Sequence, residues 1–472
     1  MAPVSDRLEE ALEREAPQWG IRPVPAAMQR LRTLDLAVLW GDLSIGLLVL
    51  ASGALLVPGL GLPLALLAIV IGSLVGCVPL ALVGAAGSRE GVPGMVLFRP
   101  VLGRRGSYLP SAVNLVQLVG WTAFELWAMA RVANAVSREL FHLDSYMLWL
   151  VLVAIVCTAL ALAGPIFAVR RWLERFGVWV VAAVCAWITI RVLALGGLGV
   201  VWSRPGAGGL PFWLAVDLVI AMPMSWLPLV ADFNRFARDP RGAALGTFWA
   251  YAAGNIWFYS LGALLVVVAG STTDVFDIGT TIAAAAGGAV VLLALLVGES
   301  DQAMANIYSG AVSVQNVFPG SSQRRLILFV AAAGLALASL LREGVATTFE
   351  FFLLLIGSVF VPLFAVFLAD WLVLHGGRYG EAALFDEAPS GIRWRALVPW
   401  AAGFIAYQWC VPTGPTWWVN SVAKVFKTVR LPFPLVSGSP FGASAPSFLV
   451  AFALALVVLP RPAPEAAEVT QP

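Results

Sequence analysis

Apolar residues in this chain come in long runs, and twelve of them approach the ~20 residues that a bilayer-crossing helix needs. The runs fall at roughly 36–57, 61–86, 108–135, 145–165, 176–197, 211–231, 243–269, 280–303, 326–341, 347–370, 396–412 and 445–460. The ninth is short, and the seventh and eighth have glycine-rich flanks. Residues 1–35 are charged (Glu9, Glu10, Glu13, Arg14, Glu15) and read as a partly helical cytoplasmic tail rather than a cleavable leader. Residues 461–472 are rich in Pro, Ala and Glu and read as a disordered tail.

Composition narrows the class. Over 472 residues the chain is 60% hydrophobic and only 12% charged, with a mean hydropathy of +0.88. A soluble domain of this size carries about twice that share of charge, so the chain is expected to be an all-α polytopic membrane protein. A net charge of +2 without a basic cluster argues against a nucleic-acid partner. The four cysteines (Cys77, Cys157, Cys185, Cys410) are isolated and have no metal or redox spacing. His142 and His375 fall in loops and read as surface residues.

Basic residues set the orientation. Arg22, Arg30, Arg32, Arg89, Arg99, Arg104, Arg105, Arg170, Arg171, Arg175, Arg235, Arg238, Arg241, Arg324, Arg325, Arg378, Arg393, Arg395 and Arg461 share one side. That side is expected to be the cytoplasm, with both termini inside a cytoplasmic (inner) membrane. The last external loop, 413–444, is the exception. It holds both lysines, Lys424 and Lys427, with Trp417 and Trp418, and can lie along the membrane surface.

Two spans carry their own interruptions. The first reads Trp40-Gly-Asp42-Leu43-Ser44-Ile-Gly46, a charge and two glycines within an apolar run. The sixth reads Met222-Pro223-Met-Ser225-Trp226-Leu-Pro228, and two prolines each remove a backbone donor. Interruptions five spans apart point to an inverted-repeat transporter, with its site where the helices unwind. The repeats are then 36–197 and 211–370, followed by two extra helices at 396–460. Ordinary kinks are the alternative.

Polar residues inside the spans are the candidate chemistry. In span three Gln117, Trp121 and Glu125 recur every four residues and share a face. A carboxylate at mid-membrane needs a partner, a proton or a wet cavity, and an indole beside it offers a flat apolar surface. A small planar ligand with N–H groups suits that face. The other reading is packing by Trp121 and helix pairing by Glu125. Span eight carries Val297-Gly-Glu299-Ser300-Asp301-Gln302 and Asn306-Ile-Tyr308-Ser309. Ser300 and Asp301 offer hard oxygens for a small cation or a proton, and Glu299 can be a lumen, interface or pairing residue. The competing view makes this stretch, from Asn306 onward above all, a helix end in water. No phosphate loop, zincin pair or nucleophile triad occurs, so an enzyme is not expected.

Several stretches together resemble the nucleobase:cation symporter-1 family, the cytosine-purine permeases. They are Gly91-Val-Pro93-Gly94 through Arg99-Pro-Val-Leu-Gly103-Arg-Arg-Gly106-Ser107, Gly120-Trp121, Ala231-Asp232-Phe-Asn-Arg235-Phe and Asn306-Ile-Tyr308-Ser309. The likeness covers roughly 35–410. Gly120-Trp121-Thr-Ala-Phe-Glu125 and the Asp301…Ser309 run look most like the hydroxymethylpyrimidine transporter branch. The resemblance implies a leucine-transporter-like five-plus-five inverted repeat with two extra C-terminal helices. It implies a ring held between Trp121 and Trp226, with Glu125 and Asn306 as contacts. Gln117, Ser225 and Gln302 join them as substrate-binding candidates from their positions. A sodium site is implied at the span-one carbonyls Leu43 to Gly46 and at Val297, Ser300 and Asp301. Asp301 replaces a hydroxyl there, so Na+ and H+ both stay open. No cofactor is implied, and a monomer is sufficient. The function expected is cation-coupled import of a nucleobase-like pyrimidine by alternating access. The rivals are the same fold carrying a purine, hydantoin, allantoin or amino acid, and a channel or membrane sensor.

Overall fold

The structure is a computed structural model that describes residues 20–164, 178–271, 279–282, 284, 288–341, 345–385, 390–434 and 441–461. Arg170, Arg171, Arg175, the first nineteen residues and the tail beyond Arg461 lie outside the described residues. Each of the twelve apolar runs is represented by a helix. Span one is a broken pair, Thr33–Asp42 and Leu47–Ala54, bent by 60° at the break. Spans two to six are Leu62–Glu90, Tyr108–Phe141, Tyr146–Ala163, Val178–Ala194 and Phe212–Asn234. Spans seven to twelve are Pro240–Ala269, Ala289–Val317, Gln323–Leu340, Val345–Leu368, Trp394–Cys410 and Ser444–Val458. Among the described residues, by length and hydropathy alone six helices, or seven with the bent pair, are long and apolar enough to cross a membrane. The others are shorter or carry the polar residues that build the site.

Side-chain size decides which face turns inward. On span two, Leu64, Leu67, Leu74, Val75 and Val78 are exposed, while Ala65, Ala68, Gly72, Gly76 and Cys77 are buried. Small residues let helix backbones approach closely. A Cβ on Gly72 would meet Val219 of span six, and one on Gly76 would meet Pro223. Span two thereby packs on spans six and seven, and span three packs on span eight. At its C-terminus Gly91 takes a left-handed φ of 66° and its N–H donates to the Gly87 carbonyl (2.9 Å), a turn that favours glycine. Gly94 then lies against the Pro228 carbonyl, and its N–H donates to Asp232 Oδ1 (2.9 Å).

Two expectations need correction. Span six is not interrupted: Phe212–Asn234 is one helix with Pro223 and Pro228 inside it. It is buried almost throughout, and side chains serve its backbone, with Gln117 Nε2 donating to the Ser225 carbonyl (2.9 Å) and Tyr259 Oη to that of Leu218 (3.2 Å). Neighbours that bond to the backbone let a membrane helix carry proline without unwinding. Span eight runs to Val317, far beyond 303. Its polar second half is not a wet helix end, since Asn306, Ser309, Ser313 and Asn316 are all buried. Asn114 Nδ2 donates to Ser313 Oγ (2.8 Å), and Asn316 Nδ2 to Ser111 Oγ (2.9 Å). Residues 20–32 of the N-terminal segment pack on the helices. Leu31 pairs with the chain after span six through Phe236 and Arg238, and Gln29 Nε2 donates to the Ser88 carbonyl (2.9 Å).

Candidate functional site

Spans one, three, six and eight meet around one small cavity. Trp121 and Glu125 come from span three, Met222, Ser225 and Trp226 from span six, and Gln302 and Asn306 from span eight, with Leu48 and Val49 closing the side nearest span one. The cavity volume is about 10 Å³, room for about one water molecule, so a ring enters only if the lining side chains move apart. Each indole is fixed by edge-on neighbours. Trp121 meets Phe349 and Phe352 of span ten, at centroid distances of 5.8 and 5.3 Å. Trp226 meets Trp40 at 5.9 Å, and the Trp40 indole donates to Asn234 Oδ1 (2.7 Å). The Trp121 Nε1 has no hydrogen-bond partner.

Glu125 is 1% exposed. Asn306 Nδ2 donates to both of its oxygens, at 2.9 and 3.0 Å. The amide orients the carboxylate but leaves it with acceptor capacity, because each oxygen has more than one lone-pair site. A ligand edge with two adjacent N–H donors could use what remains.

Beside the cavity lies the span-one break. Asp42 ends the first half-helix, and Leu47 begins the second. Leu47 N–H donates to Glu299 Oε2 (2.8 Å), and Gln302 Nε2 donates to the Ile45 carbonyl (2.6 Å). Asp42 lies within electrostatic reach of Glu299 and Asp301. All three carboxylates are buried, and neither Asp42 oxygen, Glu299 Oε1 nor Asp301 Oδ1 has a hydrogen-bond partner. Charge so placed calls for a proton or a cation. Among the described residues no three His, Cys, Asp or Glu side chains converge as metal ligands.

Of the substrate-binding candidates, Trp121, Glu125, Ser225, Trp226, Gln302 and Asn306 line the one cavity. Gln117 does not. It lies one turn away, bonded to Asn114 Oδ1 (2.9 Å) and the Ser225 carbonyl, and braces span three against span six. Of the cation candidates, Leu43 and Gly46 sit in the break, and Ser300 Oγ donates to the Val297 carbonyl (2.7 Å). The sequence reading missed Asp42 as a site residue and left Glu299 unassigned. A carboxylate two residues before Ser44 in an apolar run was the available signal for the first. The pairing of Glu299 depends on a backbone over 250 residues away and has no local signature.

The model for permeases of cytosine/purines, uracil, thiamine and allantoin matches residues 23–433. The chain belongs to this family. It is 26% identical over 348 residues to the cytosine permease of Escherichia coli strain K12, covering 73% of this chain and 78% of that one. It is 24% identical over 406 residues to the hydantoin permease of Microbacterium maritypicum, covering 80% of each. Its fold is similar to that of Mhp1, a nucleobase-cation-symport-1 family transporter, solved closed with bromovinylhydantoin bound. That match has a TM-score of 0.76 at 19% identity, over 93% of this chain and 94% of the other. The protein is an all-α polytopic membrane protein of the leucine-transporter-like fold.

Proposed function

We propose that this permease is a secondary active importer of a nucleobase-like pyrimidine, of cytosine or hydroxymethylpyrimidine type, coupled to a cation gradient. It works by alternating access in the cytoplasmic membrane with both termini inside. The observation that carries the reading is one small cavity lined by two tryptophans and an oriented carboxylate, next to a helix break where buried acid oxygens lack hydrogen-bond partners. The tryptophans hold the ring faces, and Glu125 accepts from the ring edge, most readily an exocyclic amino group beside a ring nitrogen. Asn306 and Gln302 orient the remaining polar atoms. The coupling ion, Na+ or H+, sits at Leu43, Gly46, Val297, Ser300 and Asp301, with Asp42 adding charge. Likeness to a cytosine permease and to the hydroxymethylpyrimidine branch at residues 120–125 supports the pyrimidine.

The test is counterflow in proteoliposomes. Vesicles preloaded with unlabelled cytosine or hydroxymethylpyrimidine should accumulate the labelled compound, and an imposed sodium or proton gradient should drive net uptake. Equilibration without exchange acceleration or response to either gradient would point to a channel. Exchange of hydantoin or allantoin but of neither pyrimidine would retain the transporter and replace the ligand.

A further inference from the structure

Breaking span one strands backbone groups that a continuous helix pairs internally, and within a bilayer each needs another partner. Two of these groups, on either side of Gly46, are taken by span eight. The Leu47 N–H goes to Glu299 Oε2 at 2.8 Å, and the Ile45 carbonyl takes Gln302 Nε2 at 2.6 Å. Glu299 and Gln302 are three residues apart, so one helix face supplies both an acceptor and a donor. The carboxylate also lies at the first residue of the half-helix Leu47–Ala54, the end where negative charge is favoured. Gly46 fits between them: a Cβ there would overlap Gln302 Nε2 and come within 2.7 Å of Glu299 Oε2.

We propose that Glu299 and Gln302 are positioning residues that clamp the span-one break to span eight. By fixing Ile45 and Leu47, the clamp sets where Asp42 of span one stands relative to Asp301 of span eight. Gln302 also lines the ligand cavity, so the clamp is shared by the two halves of the site. This role rests on the transport reading for its purpose, but its geometry does not depend on any substrate.

Hydrogen exchange of a peptide covering residues 43–50, measured on the full chain in lipid nanodiscs without ligand, tests it. Glu299→Leu should speed exchange there about tenfold, the loss of one hydrogen bond to a charged group. Glu299→Gln, which keeps an acceptor oxygen, should speed it less. Gly46→Ala should prise the clamp open and give a similar local rise, and Gly46→Ala/Glu299→Leu should exchange little faster than either alone. Should Glu299→Leu fail to fold, Glu299→Gln and Gly46→Ala carry the comparison. Unchanged exchange at 43–50, a Gln variant no better than Leu, or a rise spread evenly over all spans would overturn the clamp. Failure of pyrimidine counterflow would leave these results unaffected, so the two ideas fall separately.

Discussion

Replacing Glu125 should separate a ring-reading carboxylate from a structural one. Its oxygens hold two bonds from Asn306 at 2.9 and 3.0 Å in a site 1% exposed. Hydrogen bonds to a charged group contribute ~1.5–3 kcal/mol net, and ~1.4 kcal/mol is a tenfold change in affinity. Losing one ligand contact in Glu125→Ala should therefore weaken binding about ten- to a hundredfold. Glu125→Gln keeps a carbonyl acceptor and should lose less. Asn306→Ala should cost less than Asn306→Asp, because the aspartate would set a second carboxylate against the first. Binding is measured by isothermal titration with cytosine and with an analogue lacking the amino group, alongside the melting temperature of each variant. The amino-bearing ligand should lose more affinity than the analogue. An equal loss for both, tracking a fall in melting temperature, would refute ring-edge reading and make Glu125 a partner of Asn306 alone.

Trp121→Phe and Trp226→Phe should each weaken ligand binding modestly, and the alanine variants severely. Each stacked ring contributes ~0.5–1.5 kcal/mol beyond the area it buries, and wild-type affinity in Trp226→Ala would remove that residue from the site. Asp301→Asn should retain substrate exchange but lose concentrative uptake, because a neutral side chain no longer needs a cation; uptake with unchanged ion dependence would make Asp301 structural. A cysteine at the exposed Ser421 should react with an impermeant maleimide added outside intact cells, and labelling only after lysis would invert the proposed orientation.

Each of the twelve apolar runs contains a helix, but among the described residues only six helices, or seven with the bent pair, are long and apolar enough by themselves to cross a membrane. Hydropathy failed where polar residues are buried. Counting apolar residues ended span eight at 303, because the polar residues that follow carry no apolar signal; the partners of Asn306, Ser313 and Asn316 lie on span three, far away in sequence. Proline was misleading in span six for a related reason. Pro223 does remove a donor, but the helix runs on through it, buried almost throughout and packed through Pro223 against Gly76. Trp121, Glu125 and Asn306 were legible because such residues have few other uses at mid-membrane. Gln117 shared their helical stripe, yet one further turn takes it out of the cavity and into a brace. Periodicity identifies a face and says nothing of how far along it the cavity extends.

Span eight shows how ligand and ion can be linked without touching. Asn306 reaches Glu125 in the cavity, Gln302 borders that cavity and holds Ile45, Glu299 holds Leu47, and Asp301 lies within electrostatic reach of Asp42. Four side chains within eight residues of one helix thus address both the cavity and the proposed ion site. A cation entering among the carboxylates would relieve repulsion between spans one and eight, and so favour the arrangement in which Leu48 and Val49 close the cavity. A ring bound between the tryptophans would favour the same arrangement from the other side. By linkage each ligand then raises the affinity of the other by one common factor. The gradient can do work only through this shared state, because a ligand bound equally well in every conformation shifts none of them.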